Sequence, residues 1–490
     1  MNRMPSTRSA LPQRTMLAAA VAALVALGGC AVGPDYERPA VVTRQDSFKE
    51  AGVDWHPAAP GDAIDRGAWW ELFGDAQLNA LAQQVEVSNQ NIAAAQAAYA
   101  QARALVAGQR ASLFPTIDLG AGVTRSGSKS SGGVVTGGTV SSGGGVNNTY
   151  QANIGASWEP DVWGRIRRGV ENASASAQAS AADLASARLS AQGELATNYL
   201  SLREADAEIG LLQATVEGYE RSMTIARNRY AAGIAPRTDL LSAQTQLYSA
   251  QADLEGLRQT RATLEHAIAV LVGKAPADFS LAAADWNGVV PEVPLVLPSA
   301  LLQRRPDIAA AERNVAAANA SIGVAQAAWF PSLPLSGSYG SSSSHIRDLF
   351  DSSTMLWSLG LSASETLLDF GARKAQVAQA RAAYDASVAN YRQVTLTAFQ
   401  NVEDQLTATR VLERQYVLRQ QASAVADENE RLILNQYRAG QISFSDVVVA
   451  QASALSSRRS LVQAALSRQT TAVALIQALG GGWHADTGAE

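Results

Sequence analysis

The 490-residue chain holds a single cysteine. That excludes an intrachain disulfide framework and any multi-cysteine metal site. Its four histidines, His56, His266, His345 and His484, lie far apart. HExxH, GxxxxGKS/T, GxSxG and GxGxxG are all missing, and with them the usual marks of zinc hydrolysis, nucleotide binding and acyl transfer. Charged residues make up only 17%, against roughly 25% in soluble domains. The net charge of −5 and pI of about 5.6 exclude the basic footprint of a nucleic-acid binder. No segment after residue 29 approaches 18 uninterrupted apolar residues, so no transmembrane helix is expected there. Proline is absent between Pro160 and Pro236 and after Pro334, which leaves room for very long helices. An enzyme is the weakest reading.

At the N-terminus, Arg3, Arg8 and Arg14 precede the apolar run Met16 to Leu27, and Gly28-Gly29-Cys30 follows. A basic region, a short apolar run and small residues make a secretory signal peptide. Leu27-Gly28-Gly29-Cys30 resembles a bacterial lipobox, in which the cysteine is lipidated and becomes residue one. The alternative is a plain signal peptide followed by a chance cysteine. A lone thiol in an oxidising compartment is a liability that lipidation removes. Removal of residues 1–29 takes away three arginines, leaving 36 basic against 44 acidic residues.

The chain repeats itself. Trp163-Gly164-Arg165 and Phe370-Gly371-Ala372 are 207 residues apart, as are Arg229-Tyr230-Ala231-Ala232-Gly233 and Gln436-Tyr437-Arg438-Ala439-Gly440. Asp239 and Asp446, and Gly273 and Gly480, share that offset. Leu113-Phe114-Pro115 matches Trp329-Phe330-Pro331 at 216. The expected layout is a signal peptide at 1–29, a lipid-anchored leader at 30–68, a first repeat at 69–273, a linker at 274–305, a second repeat at 306–480 and a tail at 481–490.

Each repeat combines long helices with a strand pair. Gly164 to Gly233 predicts a rod of roughly 100 Å. Its apolar residues recur by sevens, as Leu195, Leu202, Ile209, Val216, Met223, Tyr230, with a companion row Ala205, Leu212, Tyr219, Ala226. That is a coiled-coil seam. Turns are expected at 230–241 and 437–448, with Gly233 and Gly440 ending one helix and Asp239 and Asp446 leading the next. An unbroken helix is expected from Trp69 to Phe114, and another from Pro306-Asp307 to just before Pro331. Strands are expected at 116–125, 150–159, 333–341 and 357–366, apolar on one face and Gly, Ser, Asn or Thr on the other. Period two over about ten residues fits a transmembrane strand, although a soluble sheet packed on helices shows the same alternation. The Gly- and Ser-rich run 126–149 reads as an exposed loop. Open sheet edges are not tolerated in hydrocarbon. Four strands in a membrane therefore require an oligomer, and arithmetic alone permits a dimer or a trimer.

Several motifs carry a family resemblance: Cys30-Ala31-Val32-Gly33-Pro34-Asp35-Tyr36-Glu37-Arg38-Pro39, Trp69-Trp70-Glu71-Leu72-Phe73-Gly74-Asp75 with Leu78, Arg304-Arg305-Pro306-Asp307-Ile308 with Ala311-Glu312, and Trp329-Phe330-Pro331. The chain resembles an outer-membrane factor of the TolC/OprM type, in its lipoprotein (NodT-like) branch. The resemblance implies a mixed α and β membrane protein. It implies a homotrimer whose four strands per chain build a twelve-stranded barrel above a periplasmic tunnel of antiparallel coiled-coil helices. It also implies a passive exit duct in the outer membrane of a Gram-negative bacterium. The duct would work with a periplasmic adaptor (a membrane fusion protein) and an inner-membrane RND transporter, with no cofactor beyond diacylglycerol and N-acyl lipid on Cys30. Asp239, Tyr437 and Asp446 match periplasmic gate positions. Gly233, Ile234, Gly440 and Gln441 match adaptor-docking tips. No metal site is implied beyond cation block at Asp446. Where relatives carry a second acid one turn beyond the Asp446 position, this chain has Val449.

The residues leave alternatives open. Asp239 and Asp446 suit helix N-capping, and Tyr230 and Tyr437 suit seam packing. A type I secretion duct is the second functional reading. A lipid-anchored coiled-coil scaffold without a pore is the third.

Overall fold

The computed structural model describes residues 31–40, 48–49, 68–128, 145–286, 288–291 and 305–481. The signal peptide, Cys30, most of the leader, the segment 292–304 with Arg304, and the tail beyond 481 lie outside the described residues. The described chain divides into two compact units. One draws on the described residues within 1–38, 101–177 and 313–388, the other on those within 39–100, 178–312 and 389–490.

The first unit holds a four-stranded antiparallel sheet in the order β1 (Thr116–Ser128), β2 (Gly145–Trp158), β3 (Leu335–Ser343), β4 (Met355–Leu361). Its register lines up like with like. Leu119 opposes Ile154, Ile154 opposes Tyr339, and Tyr339 opposes Trp357. All four side chains are exposed, Leu119 at 81% and Trp357 at 78%. The other face pairs Thr116 with Ser157 and Ser338 with Ser358 through hydroxyl contacts of 2.7 and 2.8 Å. A sheet with a wet polar face and a bare apolar face inverts the soluble pattern and matches a barrel wall. Leu356, on the polar face, departs from this pattern.

Only the start of β1, at Thr116, falls where it is expected; the other strand ends are shifted. The β1–β2 ladder runs on through 126–128 and 145–149, part of the expected loop, because main-chain pairing needs no particular side chain. β3 starts at Leu335 rather than 333, and β4 ends at Leu361 rather than 366. Pro334 has no N–H to give the ladder, so Ser332 and Ser364 meet only as an isolated bridge. Aromatics fasten the strand ends: the indole of Trp158 donates to the Leu113 carbonyl at 2.9 Å, and that of Trp163 to Pro331 at 2.8 Å. Trp163 also stacks on Phe330.

The helices are α1 (Ala76–Ser88), α2 (Gln90–Ala111), α3 (Arg165–Ala231), α4 (Arg237–Leu271), α5 (Pro306–Ala327), α6 (Ala372–Arg438) and α7 (Phe444–Ala478). The helix expected from 69 to 114 is broken twice. Trp69–Phe73 form a 3-10 turn, and Asp75 then caps α1 by accepting from the Gln77 and Leu78 amides. Asn89 breaks the rest: its side-chain oxygen accepts from Asn91 and Ile92, and its amide donates to the Leu271 carbonyl at 2.8 Å. Asn leaves a helix readily because its short amide competes for the backbone. In the second unit, Trp69, Phe73, Leu78, Leu195, Tyr199, Ile268 and Val473 make the core. Of the two predicted seams, the chain buries Ala205, Leu212, Tyr219 and Ala226 throughout. The Leu195 row is buried only at Leu195 and Leu202, half-buried through Met223, and exposed at Tyr230. Arg261, which interrupts the α4 row, is held by Asp206, Glu265 and the Leu281 carbonyl. No described helix is long and apolar enough to cross a membrane.

Candidate functional site

The residues expected at the gate and tips fall at the two helical turns of the second unit. After α3, Gly233 takes φ +72° and its amide reaches the Tyr230 carbonyl, while the Ile234 amide reaches Arg229. After α6, Gly440 takes φ +76°, its amide reaches Tyr437, and the Gln441 amide reaches Gln436. The two turns are the same turn 207 residues apart, each ended by a left-handed glycine. Gly233, Ile234, Gly440 and Gln441 are all exposed.

The helices that leave these turns are capped differently. Ser443 and Asp446 form a reciprocal capping box, and the Ser443 amide donates to the Asp446 carboxylate at 3.1 Å. The capping alternative for Asp446 is therefore real. At the equivalent of Ser443 stands Pro236, which has no N–H, and no side-chain cap forms there. Asp239 is thus not held by a reciprocal box and is partly exposed.

Between the turns lies a small apolar core of Ala226, Ala243, Tyr437, Phe444 and Val447. Tyr437 packs edge-on to Phe444, with ring centroids 5.3 Å apart. The Arg229 guanidinium lies over the Tyr437 ring at 4.7 Å and donates to its carbonyl at 2.9 Å. The Tyr437 hydroxyl and the Arg229 Nε are buried without a hydrogen-bond partner in the single chain. Burial pushes the Tyr437 phenol above its ordinary pKa; Asp239 acts in the same direction and Arg229 opposes both. An orphaned buried hydroxyl costs about 1–3 kcal/mol, so this group has reason to find an acceptor. The chain brings Asp239 and Tyr437 into electrostatic range, while Asp446 is committed to Ser443. Arg229 escaped the sequence reading. The repeat held its signal, since Arg229 aligns with Gln436 at the same offset.

Comparison with known proteins identifies the family of the chain. The family model described as outer membrane efflux protein matches residues 81–274 and 297–481. The chain belongs to the outer membrane efflux protein family. Among relatives of this efflux protein is the probable efflux pump outer membrane protein TtgC of Pseudomonas putida, 32% identical over 97% of each chain. Another is the outer membrane protein OprJ of Pseudomonas aeruginosa, 30% identical over 93% of this chain and 94% of that one. The outer-membrane channel OprN superposes with a TM-score of 0.83 at 29% identity, over 93% of this chain and all of that one. The open-state MtrE outer membrane channel of Neisseria gonorrhoeae superposes at 0.79 with 28% identity, over 94% and 100%. The chain is thus an outer-membrane efflux channel protein, built from an antiparallel sheet and long paired helices.

Proposed function

We propose that three copies of the chain form a passive exit duct for toxic small molecules. The observation that carries this reading is the sheet's two edges, β1 and β4, unpaired among the described residues, beside an apolar face whose Leu119, Ile154, Tyr339 and Trp357 are exposed. In hydrocarbon those edges need partners, and copies of the same sheet supply them, twelve strands in all. A second apolar surface supports association. Val411, Leu418, Val425 and Leu432 recur by sevens along α6, and each is 42% to 70% exposed. A heptad stripe in water is half of a coiled coil, and in this reading a second copy covers it.

The duct receives its substrate from a periplasmic adaptor engaged at Gly233, Ile234, Gly440 and Gln441, and from an inner-membrane RND transporter that provides the energy. Cys30 carries diacylglycerol and an N-acyl chain, and Asp239, Tyr437 and Asp446 form the gate. Relatives are named for toluene efflux, antibiotic efflux and pyoverdine export, which favours small organic molecules over polypeptides. Copurification from membranes tests the assembly. The expected result is a trimer carrying an adaptor and an RND transporter; an ABC transporter in its place would move the chain to polypeptide secretion.

A further inference from the structure

The first unit contains a contact set that neither the gate nor the barrel uses. Residues 31–36, which follow Cys30 directly, lie in a groove made by both repeats. From the first repeat, the Trp163 carbonyl accepts from the Val32 amide at 3.0 Å. Arg168, only 5% exposed, spreads its guanidinium over the segment. Its Nε donates to the Val32 carbonyl at 3.3 Å, and one terminal nitrogen to the Gly33 carbonyl at 3.1 Å and the Asp35 carboxylate at 2.8 Å. Its other terminal nitrogen is held by Glu171 at 2.8 Å. From the second repeat, the Asn319 amide donates to the Pro34 carbonyl at 2.9 Å. Tyr36 packs on Ala175 from one repeat and Ala316 and Ala317 from the other.

The groove has no room to spare. A Cβ on Gly33 would stand 2.4 Å from the Gly323 Cα, and Gly33 also has φ +107°. A Cβ on Gly323 would stand 2.9 Å from the Arg168 side chain and 3.0 Å from the Val32 carbonyl. A Cβ on Gly164 would stand 2.8 Å from Ala31. Nor is the groove a by-product of the repeat. The equivalents of Arg168, Asn319 and Gly323 are Ala375, Arg103 and Ala107. The pseudo-symmetry is broken at these three residues, which grip the segment.

We propose that Arg168, Asn319 and Gly323 form a dedicated seat for residues 31–36, which staples the two repeats together and fixes the lipid anchor beside the Trp163 end of the sheet. Consecutive Cα atoms are about 3.8 Å apart, so an acyl group on Cys30 hangs within one residue of a clamped position. The attachment point is then one residue from a clamped segment rather than at the end of a long tether. The guanidinium is suited to this because it presents several donors in one plane; an ammonium is a point charge and cannot span three acceptors in the same way. The part concerning the anchor rests on the lipidation of Cys30; the seat itself does not.

Hydrogen exchange of residues 31–40 in the full-length detergent-extracted protein tests the seat, with palmitate incorporation measured in parallel. Slow exchange at Val32 is expected in the wild type. Gly323→Ala is the decisive variant. Alanine improves the intrinsic propensity of α5, so a fold defect is not expected, yet its methyl group occupies the seat. Exchange at Val32 should accelerate at least tenfold in Gly323→Ala and in Arg168→Ala, and should be unchanged in Cys30→Ala. Protection that persists in Gly323→Ala overturns the seat, as does protection lost in Cys30→Ala. Absent palmitate with an intact exchange pattern removes the anchor and leaves the seat standing.

Discussion

Tyr230 and Tyr437 occupy equivalent positions 207 residues apart, yet the first is 43% exposed and the second 2%. Their surroundings explain the difference. Phe444, which packs against Tyr437, aligns with Arg237 in the first repeat, and Arg229, which covers Tyr437, aligns with Gln436. One tyrosine is therefore a core residue with a stranded hydroxyl. Its replacement by phenylalanine has an informative sign. With no acceptor in the assembled channel, Tyr437→Phe is neutral or stabilising. With the Asp239 carboxylate of a neighbouring copy as acceptor, it costs about 1.5–3 kcal/mol. We expect the cost, together with higher single-channel conductance and greater vancomycin entry without adaptor. Tyr437→Phe with Asp239→Ala should then cost no more than either change alone, the non-additivity of a shared contact. Strict additivity would place the gate elsewhere.

Asp446 caps α7, and substitution can separate that role from the proposed one at the gate. Asp446→Ala removes the capping box and should cost about 1 kcal/mol. Asp446→Asn retains an acceptor for the Ser443 amide and removes only the charge. Block by multivalent cations from the periplasmic side should weaken in both, while the melting temperature should fall only in the alanine variant. Block that survives both changes means the carboxylates do not surround the pore.

The two sheet faces predict opposite tolerances. Leu359, 73% exposed, shares the face of Ile117 and Gly337, whereas Ser358 faces the serine and glycine side. Leu359→Arg should impair insertion by roughly 2–4 kcal/mol per chain if it lies near the midplane. Ser358→Arg should be milder. Outer-membrane yield and heat-modified gel mobility report both. Equal damage would mean that both faces are dry.

How far the sequence could be read depended on what encoded each feature. Helix ends were legible because Gly164, Gly233 and Gly440 mark them in a conformation other residues avoid. Strand faces were legible because their side chains alternate. The break at Asn89 was not, since its stability comes from a hydrogen bond to Leu271, 182 residues away. The same holds for Arg168 and Arg229, whose partners sit across the fold. Periodicity reports which face of an element is apolar, and says nothing of which charged side chain crosses to another element. The repeat carried that information in part, through the positions where its two halves disagree.

The last prediction concerns a buried acid. Glu204 and Glu208 lie one turn apart on α3, 8% and 4% exposed, and Arg459 from α7 pairs with Glu208. One arginine between two carboxylates leaves the second uncompensated. Burial, reinforced by the Glu208 charge and opposed by Arg459, pushes the Glu204 carboxyl from 4.5 to about 7. In the unfolded chain it titrates near its ordinary value, so between these limits the folded protein keeps a proton that the unfolded chain has lost. Stability then falls as pH rises through that window, and the full penalty is felt above about 7. Glu204→Gln keeps the shape and removes the ionisation. The variant should match the wild type near pH 4.5 and melt at a higher temperature at pH 8, the gap opening between those values. Melting curves of the detergent-extracted protein at several pH values provide the measurement. A difference that does not depend on pH would mean that Glu204 stays ionised throughout and that Arg459 serves both carboxylates.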